Sequence, residues 1–200
     1  IKTATFLALG KACTRNCGFC DIDFTKTPKE PEIDEPERIA GSVRELGLKH
    51  VVITMVARDD LPDGGAFHIA KIIDEVRKTN PGVTIEVLTS DFQGNYKAID
   101  QVLEKRPDIF NHNIETVREL SPRVRHKATY DRTLEVLRYV KSQNKSSFVK
   151  SGIMVGLGET KEQVQETIKD LAEAGCDIIT IGHYLQAKYK KTYSKIFCLS

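Results

Sequence analysis

Short apolar runs rich in β-branched residues alternate along the chain with longer segments whose apolar positions recur at helical spacing. The runs are TATFLAL (3–9), HVVITMV (50–56), VTIEVL (83–88), DIFNHNI (108–114), FVKSGIMV (148–155) and DIITIGHYL (177–185). Near-continuous apolar character predicts strands covered on both faces, as in a parallel sheet. The segments between them carry helix signals. Asp34 with Glu37 reads as a capping box before a helix over Arg38–Leu46, closed by Gly47. Gly65–Thr79 is stopped by Pro81, Asn95–Lys105 by Pro107, and Asp131–Gln143 is a further helix. Thr160 with Gln163 caps Lys161–Ala174, and Gly175 ends it. Strand and helix thus alternate five times before a sixth strand, the pattern of βα units with right-handed crossovers. A partial barrel and an open doubly wound sheet both fit, and both place ligands at the carboxyl ends of the strands.

Those ends carry the chemistry. The first run leads into CTRNCGFC, with Cys13, Cys17 and Cys20 spaced Cys-x3-Cys-x2-Cys. Three thiolates on one loop hold only part of a metal centre. A closed zinc site takes four ligands, and a four-iron cluster has four irons to ligate, so the triplet points to a cluster with one iron left open. A zinc knuckle completed by a distant ligand, or three uncoordinated thiols, are the alternatives. The second run leads to RDDLPDGG (58–65), where DGG reads as a turn into a helix, and the third to Ser90, Asp91 and Gln93. In the fourth, period-two alternation puts Asn111, Asn113 and Glu115 on one face and Phe110, His112 and Ile114 on the other. Buried amides and carboxylates need partners, which an internal network or a polar ligand supplies. His112 taken alone reads as structural. Lys150, inside the fifth run, calls for a carboxylate from Glu115 or a ligand. GLGE (156–159) before a helix resembles a phosphate loop only weakly; its glycines equally shape a turn. Cys176 reads as structural, and Cys198 as a weak candidate for a fourth ligand.

Composition narrows the class. Two hundred residues, 40% hydrophobic and 29% charged, make one globular domain with a real core. A net charge of +2 argues for neither nucleic acid nor a membrane surface as partner. No run approaches a membrane span. The cysteine usage fits a reducing, cytoplasmic setting, with an organelle left open because a transit peptide would have preceded Ile1.

CTRNCGFC resembles the cluster loop of the radical S-adenosylmethionine enzymes. Within them the strings CTRNCGFCDI, RDDLPDGGA, DFQGN, FNHNIETV, KSGIMVGLGET and IGHYLQ, in that order, are similar to lipoyl synthases. The resemblance implies a partial (β/α)6 TIM-type barrel filling residues 1–200. It implies that Cys13, Cys17 and Cys20 ligate a [4Fe-4S] cluster whose open iron takes S-adenosylmethionine. Phe19 would lie near the adenine, Asn113 and Glu115 near the cofactor, and Arg125 and Lys150 would make further polar contacts. The implied substrate is an octanoyl chain on a lysine of a carrier protein or domain, with sulfur insertion at two C–H bonds. A ferredoxin- or flavodoxin-type electron donor and a monomeric state go with it. The family also carries a second, auxiliary [4Fe-4S] cluster, ligated by three cysteines ahead of the first strand and a serine in an Arg-Ser-Ser-Tyr string. Neither string occurs in these 200 residues, so the chain is expected to be a core portion truncated at both ends. A relative with another substrate, or a non-catalytic iron–sulfur or carrier-binding remnant, are the alternatives. Met55, Ala57, His183, HKATYD (126–131) and AKYKK (187–191) depart from the family strings.

Overall fold

The computed structural model describes residues 2–143 and 146–186. Six strands form one parallel sheet: β1 (Thr3–Ala8), β2 (His50–Met55), β3 (Thr84–Leu88), β4 (Ile109–Asn111), β5 (Phe148–Val155) and β6 (Ile178–His183). They pair strictly in chain order. A doubly wound sheet reverses its order at a switch point; this one never does. With right-handed crossovers, every connecting helix therefore falls on the same side. The sheet is a partial barrel, with β1 and β6 as its edges.

The helices are α1 (Glu35–Glu45), α2 (Ala66–Thr79), α3 (Tyr96–Leu103), α4 (Ser121–Val124), α5 (Tyr130–Gln143) and α6 (Lys161–Glu173), with a 3-10 turn at Phe92–Gly94. Their apolar stripes (Ile39 and Val43, Ile69 and Ile73, Ile99 and Val102, Leu137, Leu171) pack on Val51, Ile53, Ile85, Val87, Phe110, Val149 and Ile153 of the sheet. Alternate strand residues make this contact. Their neighbours line the barrel interior, where Thr54, Glu86, Asn111 and Lys150 sit. The expectation of strands covered on both faces thus holds only for the helix side. The edges are the most open: Leu7 in β1 and Ile181 in β6 are both exposed.

Two local readings change and one holds. Asp34 makes no capping hydrogen bond; its carboxylate is drawn into an ion pair with Arg38 at 2.9 Å. Thr160 and Gln163 do form the reciprocal box. The fourth strand stops at Asn111 rather than running to residue 114, because the chain turns at Glu115, which has φ 68°. Glu115 still bridges to Ile153, so the segment stays beside β5.

Candidate functional site

β1 ends in a sharp turn at Leu9 and Gly10, both at positive φ (67° and 85°). The cysteine loop that follows is tied down by backbone hydrogen bonds to three other segments. The N–H of Cys13 donates to Asp23 O (2.8 Å), that of Thr14 to Ala57 O (3.1 Å), and that of Gly18 to Val124 O (2.9 Å). Cys13, Cys17 and Cys20 then face a cavity of about 250 Å3 at the carboxyl ends of the strands. Phe19, Asn113, Glu115 and Arg125 line the same cavity. The structure therefore brings together seven of the eight residues expected at the site. Lys150 is the exception. It lies lower in the barrel, and its ammonium reaches Glu86 of β3 at 2.9 Å, so Glu86 rather than Glu115 or a ligand supplies its carboxylate. Asn111 joins that pair, donating to Glu86 at 2.8 Å.

The electrostatics of the cavity are set by burial. Burial pushes the Cys17 thiol up to about 11, with the field of Arg125 working against it. Arg125 is itself buried. Its guanidinium donates to Thr133 Oγ1 (2.9 Å) and faces His112 Nε2 (3.4 Å), and among the described residues no carboxylate forms an ion pair with it. Burial lowers its pKa, while Glu115, Asp91 and Cys17 act to raise it. Glu115 is held above the usual carboxylate range by burial, partly offset by Arg125 and a hydrogen bond from Asn113. A left-handed backbone at a non-glycine residue is strained and persists where its surroundings fix it. Here it turns a carboxyl group into the cavity. A buried cation and a half-buried carboxyl group facing the same space suit a ligand that carries both anionic and donor groups.

Apolar walls complete the cavity. Phe19 packs with Val124, Leu157, Tyr184 and Met154, joining the cysteine loop to the segments after β4, β5 and β6. Leu7, Ile22, Met55 and Leu88 form the other side, so Met55 does touch the site. His183 lies against Gly156, where an added Cβ would come within 2.9 Å of its ring. The GLGE loop is not open to phosphate. The Glu159 carboxylate accepts the N–H groups of Gly156 (2.5 Å) and Leu157 (2.8 Å), filling the anion position from within the chain. DGG is a turn as read: Asp63 accepts the N–H of Gly65 (2.9 Å) and Phe67 (2.8 Å), and a Cβ at Gly65 would meet Leu9 at 2.5 Å. Cys176 packs against the core on the far side from the cysteine loop, and burial pushes its thiol to about 12. Cys198 lies outside the described residues.

Sequence reasoning passed over one residue of the loop itself. Arg15, between two of the cysteines, is buried and grips Asp59 and Asp91. An arginine flanked by two cysteines of the triplet was the available signal.

The three thiols share one cavity, and a four-iron cluster takes each thiolate on a different iron. The residues fit the cluster.

A barrel of this topology with three such cysteines after its first strand defines a class, and likeness to known proteins agrees. Residues 7–171 match the model of the Radical SAM superfamily. The chain belongs to that superfamily, and membership implies a [4Fe-4S] cluster and S-adenosylmethionine. It is 63% identical over 198 residues to the lipoyl synthase of Protochlamydia amoebophila (strain UWE25), covering 98% of this chain and 61% of that one. It is 57% identical over 184 residues to the lipoyl synthase of Chlamydia muridarum, covering 92% and 60%. The chain thus spans about three fifths of the length of these relatives. Among solved structures, the FeFe-hydrogenase maturase of Carboxydothermus hydrogenoformans superposes with a TM-score of 0.79 at 15% identity, covering 99% of this chain and 48% of that one. Methylornithine synthase gives 0.77 at 15%, covering 97% and 57%. These two likenesses show the fold.

Proposed function

We propose that this chain is the radical-generating core of a lipoyl synthase, acting on an octanoyl chain borne by a lysine of a carrier protein or domain. The reading is carried by the convergence of Cys13, Cys17 and Cys20 with Phe19, Asn113, Glu115 and Arg125 on one cavity, and supported by the identity to lipoyl synthases. When bound, the cluster and S-adenosylmethionine supply a 5′-deoxyadenosyl radical that takes hydrogen from an unactivated carbon. The chain's own residues do the rest. The three cysteines would hold the cluster as thiolates, and three protein ligands would leave the cluster open to the cofactor. Arg125 presents a buried positive charge to the cofactor's carboxylate. Asn113 and Glu115 offer an amide and a carboxyl group to ribose hydroxyls. Phe19, with Leu157 and Met154, makes an apolar wall for the adenine. Leu7, Ile22, Met55 and Leu88 give the opposite side the character an alkyl chain needs and keep water from the reacting carbon.

Sulfur insertion requires a source. The ligands of the family's auxiliary cluster do not occur in these 200 residues, so the chemistry proposed for them ends at hydrogen removal from the octanoyl chain. The electron is supplied by a partner of ferredoxin or flavodoxin type.

The test is isotope transfer. Reconstituted, reduced chain is given S-adenosylmethionine and a peptide bearing a perdeuterated octanoyl-lysine. Deuterium in the recovered 5′-deoxyadenosine is the expected result. Unlabelled 5′-deoxyadenosine formed equally with and without peptide contradicts the octanoyl assignment and favours a relative with another substrate.

A further inference from the structure

We propose that Arg15, held between Asp59 and Asp91, shapes the cysteine loop before any metal arrives, so that the three thiols form a ready template. The inference rests on the reading of Cys13, Cys17 and Cys20 as cluster ligands and makes Arg15 a positioning residue for them.

Arg15 stands two residues from Cys13 and two from Cys17. Its side chain is 5% exposed. Nε donates to Asp59 Oδ2 at 2.8 Å and Nη2 to Asp59 Oδ1 at 2.7 Å, a two-pronged fit. The same Nη2 lies 2.6 Å from Asp91 Oδ1. Asp59 follows β2 and Asp91 follows β3, so one planar guanidinium fastens the loop to two neighbouring strand ends. A lysine ammonium cannot reproduce that fork.

The anchors are themselves fixed. Asp91 is fully buried, accepts the N–H of Gln93 at 3.0 Å and is approached by Arg132 at 3.4 Å. The Asp59 N–H donates to Thr14 Oγ1 (3.0 Å), and that hydroxyl donates to Ala57 O (3.0 Å). The residue before Arg15 is therefore laced to the same strand end as its side chain. The Arg15 N–H points at Cys13 Sγ at 3.4 Å, which carries the arrangement to a ligand sulfur. All of these contacts join protein groups to protein groups, so they operate in the metal-free chain. A loop built only by its cluster would need no such set of bonds reaching into two strand ends.

The test uses the full chain, metal-free and reconstituted, and reads amide hydrogen exchange together with iron release to a ferrous chelator. In the metal-free wild type, the amides of Thr14, Gly18 and Asp59 are expected to exchange about 100-fold or more slower than in an open loop. Asp59→Asn is the milder variant, because the Asp59 side chain is 20% exposed and Arg15 keeps Asp91. It should lower that protection, and speed iron release, by about tenfold, while α5 stays protected and the thermal midpoint holds. Arg15→Lys retains the charge without the fork and should not restore either reading. Free exchange of the loop in the metal-free wild type overturns the proposal, and so does full retention of protection and iron in both variants. If a variant unfolds as a whole, the wild-type exchange decides alone. A protected loop that takes up no iron leaves the clamp standing and removes the cluster reading instead.

Discussion

Acid should unfold this chain earlier than its carboxylates alone would require, and His112 is the reason. Its ring is fully buried behind the cavity. Nδ1 lies 2.9 Å from the carbonyl of Thr89, an acceptor, so Nδ1 carries the proton. Nε2 is then a bare acceptor, 3.3 Å from Thr133 Oγ1 and 3.4 Å from the Arg125 guanidinium. Protonating it would set two cations face to face out of water. Burial first, and Arg125 second, hold the imidazole down at about 4 against an ordinary 6.5. Between those values the unfolded chain binds a proton that the folded chain refuses, so stability rises with pH and falls with acid. At ~1.36 kcal/mol per tenfold, the full gap is worth on the order of 3 kcal/mol, of which about 2 kcal/mol is lost between pH ~6.5 and ~4.5. The assay is urea unfolding of the metal-free chain, followed by circular dichroism across this range, for wild type and His112→Gln. Glutamine keeps a donor and an acceptor without titrating. The variant is expected to be less stable throughout but to lose about 2 kcal/mol less on acidification. Parallel curves would refute the placement of a neutral, buried His112 against Arg125.

Other substitutions test the remaining geometry. Gly152→Ala would bring a Cβ within 2.8 Å of Asn113 Oδ1 and 2.9 Å of Thr180 Oγ1; displacing Asn113 should weaken S-adenosylmethionine binding to the reconstituted chain by about tenfold in equilibrium dialysis, and unchanged binding would remove Asn113 from the cofactor. Lys150→Met leaves the buried Glu86 with one cation fewer and should cost about 2 kcal/mol in urea unfolding. Affinity for S-adenosylmethionine should stay the same, and a large loss would return Lys150 to the cofactor site. Cys176→Ala should keep full iron and sulfide by colorimetric assay, because Cys176 lies away from the cavity; loss of cluster would implicate it as a ligand.

What was legible in the chain was what is local. The β-branched runs and the periodic segments between them mark the strands and helices, because each signal is contained within a dozen residues. The cysteine triplet is legible for the same reason. The alternation at NHNIE put Asn113 and Glu115 on one face, and both line the cavity, although it could not show the left-handed turn at Glu115. The choice of barrel over open sheet needed the strand order. Short elements were missed: the turn at Phe92–Gly94 and α4 are too brief for a periodic pattern. The partners of charged residues were the hardest to read. Glu86 lies 64 positions from Lys150, and Asp59 lies 44 from Arg15, so only the closing of the sheet brings them together. Glu159 is the instructive short-range case. GLGE looks like an open anion loop until its own carboxylate is seen to occupy it.

The most direct test is the formation of 5′-deoxyadenosine from S-adenosylmethionine by anaerobically reconstituted, reduced protein, measured beside its iron and sulfide content. About four irons per chain and product are expected in the wild type, with both lost in Cys17→Ala, since two thiolates hold four irons poorly. Full iron content with no product, or product undiminished in Cys17→Ala, would contradict the assignment of this cavity as a radical-generating site.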